Sequence, residues 1–239
     1  MTTVGLLYPG HSAEDDFPRM EVLLDSDIRL AVVHTEADVD AHRVAALLST
    51  GAAGRLAPGV EELRLAGAES VVWACADGSF VYGWEGAHEQ IRSLARTAGL
   101  PASSTSFGFV HAARKLGASR VAVAAAHSEE IAGYFTEFLK AAGIEVVAAR
   151  AEGVPPGESA AWGRDRILEL AASANDPAAE AVLLPDTALH TVAHLPELEE
   201  LLGKPVLTAN QVTVWEGLRL ADRRAWSPDL GALFAKPAP

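Results

Sequence analysis

The chain has 239 residues, 49% of them hydrophobic and 21% charged, with a formal net charge of −13 and a single cysteine. This balance gives a globular chain long enough for one large domain or two small ones, and excludes disorder. Without an apolar stretch of about 18 residues it offers no membrane span. With no Lys/Arg cluster beyond Arg223-Arg224 it offers no phosphate-binding surface for nucleic acid.

One cysteine excludes an internal disulfide and a C-x-x-C metal or redox pair, and fits a reducing, cytoplasmic setting. Met1-Thr2-Thr3-Val4 carries no basic region ahead of its apolar segment, so no signal peptide is expected. An acidic chain of this size is also compatible with a homo-oligomer.

In chain order, short runs rich in Val, Ile and Leu fall at Val4–Tyr8, Ile28–Val33, Val71–Ala74, Val121–Ala125, Ile144–Ala148, Val182–Leu184 and Val206–Thr208. They are apolar on both faces, as strands buried in a parallel sheet are. Helical stretches lie between them, among them Ala37–Leu48, Gly86–Ala98 and Glu129–Ala142. In the last, Ile131, Phe135, Phe138 and Leu139 keep helical spacing, Ser128 is placed to cap the N-terminus, and Gly143 follows the C-terminus.

Three segments repeat in order. Asp27–Val33 echoes Gly143–Val147, Glu69–Val72 echoes Glu180–Leu183, and Gly99–Ser104 echoes Gly203–Thr208, at offsets of 116, 111 and 104 residues. The expected fold is therefore α/β, with two similar lobes, each a small parallel sheet flanked by helices. We expect residues 1–104 with 210–239 to form the first lobe and 105–209 the second. Ligands of such folds bind beyond the C-terminal ends of the strands.

Two strand ends carry chemistry. Ser70–Ala74 runs into Cys75 and then Ala76-Asp77-Gly78-Ser79; Ala181–Pro185 runs into Asp186-Thr187. A thiolate at a strand end, aimed at a helix N-terminus, has a lowered pKa and is a nucleophile or proton abstractor, whereas a structural cysteine is a small buried hydrophobe. Asp77 works against the thiolate. Asp186 reads either as a general acid/base or as the N-cap of a helix near Thr191–Leu202.

His127 ends a strand on the same rim, placed to donate to a substrate oxygen or move a proton, or to be a plain loop residue. His190 and His194 stand four apart as on a helix, but no third ligand accompanies them, so no metal site is expected. Neither G-x-G-x-x-G nor G-x-x-x-x-G-K-[ST] occurs, and Tyr8-Pro9-Gly10-His11 follows the first strand instead, so no nucleotide cofactor is expected.

Val71–Gly83, Gly99–Ala126 and Val182–Leu220, together with Val4–Pro9, resemble the cofactor-independent aspartate/glutamate racemase superfamily, in its maleate cis-trans isomerase and arylmalonate decarboxylase branch. The resemblance implies a site between the lobes in which two cysteines act on a small carboxylic acid, one as nucleophile or base and the other as its acid/base partner. Cys75 matches the first cysteine, and Asp186 stands in place of the second. Ala76, Asp77, Gly78 and Ser79 match the first carboxylate cradle and Thr187 the second. His127 takes the place of a tyrosine that contacts a carboxylate, and Tyr8 and Pro9 match the first-strand loop.

The departures are a missing second cysteine and two added carboxylates. At about 4 Å these would repel by roughly 4 kcal/mol at an effective dielectric of about 20. The reading that follows is an isomerase of a small carboxylic acid, with Cys75 as nucleophile or base and Asp186 as its acid/base partner. The alternatives are a decarboxylase, lyase or hydrolase led by Asp186, or a non-catalytic small-acid binding protein.

Overall fold

The computed structural model describes residues 1–37 and 43–236. The first half runs β1 (Thr2–Pro9), α1 (Asp16–Leu23), β2 (Ile28–Thr35), α2 (Val44–Thr50), α3 (Ala53–Leu65), β3 (Ser70–Trp73), α4 (Asp77–Phe80), α5 (Gly83–Ala98) and β4 (Ala102–Ser104). The second half continues α6 (Thr105–Leu116), β5 (Arg120–Ala125), α7 (Glu129–Ala141), β6 (Glu145–Ala151), α8 (Pro156–Ser159), α9 (Arg164–Ser173), β7 (Ala181–Leu184), α10 (Leu195–Leu202), β8 (Val206–Thr208) and α11 (Ala209–Leu220). Of the helix expected at Ala37–Leu48, residues 38–42 lie outside the described residues; the described helix begins at Val44.

The strands form two four-stranded parallel sheets of the same order, β2-β1-β3-β4 and β6-β5-β7-β8. The duplication extends to single hydrogen bonds. Glu69 and Glu180 enter β3 and β7 alike, their amides bonding Thr3 O and Arg120 O at 2.8 Å each. Val71 N bonds Pro101 O at 2.9 Å, and Val182 N bonds Pro205 O at 3.0 Å. Gly99 and Gly203 close α5 and α10 in the left-handed region, at φ 62° and 66°, which glycine enters without strain.

Alternation along the strands sorts the core into layers, since successive side chains take opposite faces. Leu7, Val71 and Trp73 pack outward under α3 and α5, whereas Leu6, Tyr8 and Val72 pack inward. In the second sheet Ala122, Val182 and Leu184 face α9 and α10, and Val121, Val123 and Leu183 face inward. The two inward sets share one core with α6, α7 and α11. Its aromatic centre includes Phe80–Phe135 and Phe109–Phe135, with ring centroids 5.1 and 5.3 Å apart.

Helices α6 and α11 cross closely in this layer. A Cβ on Gly108 would stand 3.0 Å from Val212 O, and the Thr105 and Thr213 hydroxyls meet at 2.6 Å. α11 lies directly on the first sheet: Ser70 Oγ donates to Gly217 O at 2.8 Å, and a Cβ on Gly217 would strike Val4. Among the described residues no helix is long and apolar enough to cross a membrane.

Candidate active site

Cys75 and Asp186 each lie two residues beyond a central strand, β3 or β7, at the edge where open α/β sheets bind ligands. The helix that follows the last strand of each sheet anchors the corresponding loop in the same way. Ser106 Oγ, in the first turn of α6, donates to Ala76 O at 2.7 Å; Asn210 Nδ2, in the first turn of α11, reaches Thr187 O at 3.4 Å. Both pairs obey the offsets of the repeat, so one scaffold presents a thiol at one strand end and a carboxylate at the other.

Those groups belong to a single chain of contacts across the lobes. The Cys75 thiol donates to Asp77 Oδ1 at 2.8 Å. Asp77 Oδ2 lies 3.3 Å from His127 Nε2, and His127 Nδ1 lies 3.1 Å from Asp186 Oδ1. That last contact is ionic and not an aligned hydrogen bond; the same oxygen also accepts the His127 backbone N–H at 3.2 Å. Asp186 Oδ2 accepts from Ala126 N at 3.0 Å. The carboxylate of Asp186 therefore ties β7 to the end of β5 and does not cap the following helix, which begins at Leu195 after a 3-10 turn.

All four members are desolvated, with Cys75, Asp77, His127 and Asp186 being 3, 7, 8 and 4% exposed. Burial and the neighbouring Asp77 carboxylate push the Cys75 thiol well above its ordinary range, with Gly78 N–H opposing only weakly. The expected low-pKa thiolate is thus corrected: α4 is a single turn, its Gly78 N–H sits 3.4 Å from Sγ, and Asp77 outweighs it.

Burial also opposes ionisation of Asp77, but His127, the Cys75 thiol and Gly78 N–H overcome it and lower its carboxyl. Burial disfavours a charged His127 as well, and the flanking Asp186 and Asp77 carboxylates override it, raising the ring to about 9. Burial raises Asp186, against the pull of His127 and Ala126 N–H. An imidazolium between two acids is the physical answer to the repulsion expected from Asp77 and Asp186.

The remaining expected residues fall around this relay. Gly78 and Ser79 use their amides internally, Gly78 N to Asp77 Oδ1 at 2.9 Å and Ser79 N to Ala76 O at 3.0 Å, while Ser79 Oγ meets Ser104 Oγ at 2.9 Å. Position 78 is tight, since a Cβ there would stand 3.0 Å from Cys75 Sγ and 3.1 Å from Trp73 and would make these neighbours give way slightly. Tyr8 is fully buried and spans the lobes, donating to Thr187 O at 2.8 Å and meeting Ser12 Oγ at 2.6 Å. Its burial pushes the phenol up. Pro9 ends β1 opposite Thr35.

Two residues of the interlobe contact escaped the sequence reading. The buried Asp16 carboxylate accepts from Thr191 N, Val192 N and Asn210 Nδ2 at 3.1, 3.4 and 3.1 Å. Asn210 stands at the repeat offset from Ser106, a signal that could have found it. His190 pairs with Asp15 at 2.8 Å rather than with His194, and it precedes the helix on which both were expected. His11, Glu14 and His34 instead bring ligand atoms within 4.8 Å of one another at the surface.

The sequence profile of the arylmalonate decarboxylase family matches residues 30–234. The chain belongs to the arylmalonate decarboxylase family. This is the aspartate/glutamate racemase-like branch its motifs resemble. It is 28% identical over 146 residues to an arylmalonate decarboxylase of Bordetella bronchiseptica, a match covering 59% of this chain and 61% of that protein. It is also 28% identical over 188 residues to a maleate isomerase of Geobacillus stearothermophilus, covering 73% and 72%.

Solved structures share the fold. A maleate cis-trans isomerase of Nocardia farcinica bound to TRIS superposes at TM-score 0.88, with 19% identity over 98% of each chain. A cysteine-to-serine mutant of that isomerase, carrying a covalently bound succinylcysteine intermediate, gives 0.85 at 19% identity over 99% of each chain. A liganded arylmalonate decarboxylase mutant, with a glycine changed to cysteine and a cysteine to serine, gives 0.82 at 23% identity over 98% and 99%.

Proposed function

We propose that this protein is a cofactor-independent isomerase of a small unsaturated carboxylic acid, with Cys75 as its covalent nucleophile. The observation that carries the reading is the thiol's hydrogen bond to Asp77 at 2.8 Å, with His127 on the far oxygen of that carboxylate. A protonated thiol becomes a nucleophile when its proton has an acceptor in contact.

In the proposed cycle Sγ bonds to one olefinic carbon as the S–H proton passes to Asp77, and the π electrons move onto the neighbouring carbon and its carboxylate. The former double bond is now single and rotates. The electron pair returns to re-form the double bond, the C–S bond breaks, and the sulfur retakes its proton from Asp77. The His127 imidazolium stabilises the negative charge that develops on the substrate. Asp186 holds the imidazole charged and in place and exchanges no proton in this cycle, in which Asp77 takes the acid/base role first expected of Asp186.

A cysteine-to-serine mutant of the Nocardia isomerase carries a succinylcysteine, which supports covalent chemistry on one thiol of such a site. A second reading, decarboxylation of a substituted malonate, draws on the family match and on Cys75 being protonated. There the thiol would deliver its proton to the carbanion left by loss of carbon dioxide. A liganded mutant of an arylmalonate decarboxylase carries a cysteine in place of a glycine and a serine in place of a cysteine.

Proton NMR of the protein with maleate, related unsaturated monocarboxylates and phenylmalonate separates the two. Interconversion of cis and trans acids without loss of carbon supports the isomerase. Release of carbon dioxide from the malonate alone replaces it with the second reading, and no turnover of any of these acids removes both.

A further inference from the structure

A cavity lies at the opposite ends of the two helices that anchor the Cys75 and Asp186 loops. It is a cleft of about 540 Å³ between the last turns of α6 and α11 and the C-terminal segment, within the usual size of small-molecule sites. Ser106 and Lys115 stand nine residues apart on α6, so about 13 Å of helix separates this cleft from the Cys75 loop.

Its lining reverses the sign of the molecule. In a chain of net charge −13, five of the 19 Lys and Arg residues line this one cleft, with His111 beside them and no Asp or Glu. Helix dipoles explain basic residues in the last turns of α6 and α11, but not Arg223 and Arg224, which follow the helix.

The charges are also incompletely used. Arg219 is held by Glu216 at 2.7 and 2.8 Å, and one nitrogen of Arg223 is held by Asp25 and Asp27 at 3.0 and 2.7 Å. A second nitrogen of Arg223 donates to Arg224 O at 3.0 Å, and its Nε is buried with no hydrogen-bond partner among the described residues. Arg114 spends one nitrogen on Ala142 O at 2.7 Å, a neutral acceptor. Lys115 and Arg224 have no carboxylate partner among the described residues. Between these cations stand Trp215 and Trp226, half-buried, over a floor that includes Leu233 and Phe234.

Half-buried indoles beside unpaired cations suit a ligand with a flat apolar body and an anionic head. We propose that this cleft is a binding site, separate from the Cys75 site, for a small aromatic organic anion. The indoles take the ring, and Arg114, Lys115 and Arg224 take the carboxylate or phosphate head.

The test titrates the full chain with 2-naphthoate and with 1-naphthyl phosphate, read by calorimetry and by quenching of tryptophan fluorescence. One saturable site per chain is expected, with Kd below about 1 mM for at least one probe. It should weaken at least about tenfold in an Arg114→Ala/Lys115→Ala/Arg224→Ala protein of unchanged melting temperature, and weaken with added salt. The Cys75→Ser protein should bind equally well. The stronger probe identifies the head group as carboxylate or phosphate. Absence of saturable binding to either probe overturns the proposal, as does equal binding by the triple variant. Displacement of the probe by a substrate of the Cys75 site, or concentration-dependent dimers that the probe dissociates, overturns it too: the first assigns the ligand to the catalytic site, the second assigns the cleft to another copy of the chain.

Discussion

The ends of β3 and β7 are the same scaffold carrying opposite chemistry. After β3, the reactive atom faces a single side-chain acceptor, since Cys75 Sγ–H bonds Asp77 and one long N–H contact comes from Gly78. After β7, both oxygens of Asp186 already hold backbone donors of the neighbouring strand end, Ala126 N and His127 N. A thiol can leave its hydrogen bond at little cost. A buried carboxylate that abandons two amides leaves both unsatisfied, at about 1–3 kcal/mol each. In the proposed cycle the β3 end therefore reacts and the β7 end holds, with His127 in contact with Asp77 and Asp186.

The comparison breaks most visibly at Cys75. Cys75→Ser should abolish turnover with the melting temperature nearly unchanged, and assay and melting curve together check it. Next comes Asp77→Asn, which keeps the shape but removes the proton acceptor; a fall in kcat of about 10²–10⁴ is expected, the range for a positioned acid/base group. A fall below tenfold would mean the thiol uses another base.

His127 is read by pH. Its folded pKa, about 9, lies above the ordinary 6.5, so the charged ring stabilises the fold fully below about pH 6.5, and that contribution is lost as pH rises through 9. Turnover should fall over the same upper range, and His127→Gln should flatten this limb of the kcat profile.

Smaller again is Asp186→Asn, expected to lower stability by about 1–3 kcal/mol in denaturant melts, since an amide nitrogen must face backbone donors. It should reduce turnover less than Asp77→Asn does. The mildest effect on chemistry is expected from Asp16→Ala, which strands Thr191 N–H, Val192 N–H and the Asn210 amide and should loosen the lobes, a change read by amide exchange.

What the sequence makes legible here is what repeats locally. Seven apolar runs mark strands, five of them buried in the parallel sheets, whereas β2 and β6 are edge strands with half-buried and exposed residues; the internal echoes locate the second strand end once the first is known. The strand Ala102–Ser104 has no apolar run, because its residues are small and polar; its sequence signal is its echo of Val206–Thr208, and it pairs with β3 at Val71, Val72 and Trp73. The relay was only half legible. Asp77 stands two residues after Cys75, so its opposition to the thiolate is foreseeable from the sequence. The place of His127 between Asp77 and Asp186 depends on how two lobes meet, across 50 and 59 residues of sequence, and no local pattern records that. Asp16 and Asn210 stayed hidden for the same reason, although the repeat pointed to Asn210.

The most direct test is intact-protein mass spectrometry of the Asp186→Asn protein, acid-quenched during turnover of the acid it isomerises. The account predicts a mass increase of one substrate molecule, carried by the only cysteine and absent when Cys75→Ser is added. Sustained turnover in the Cys75→Ser protein, or an adduct that survives that substitution, would contradict it.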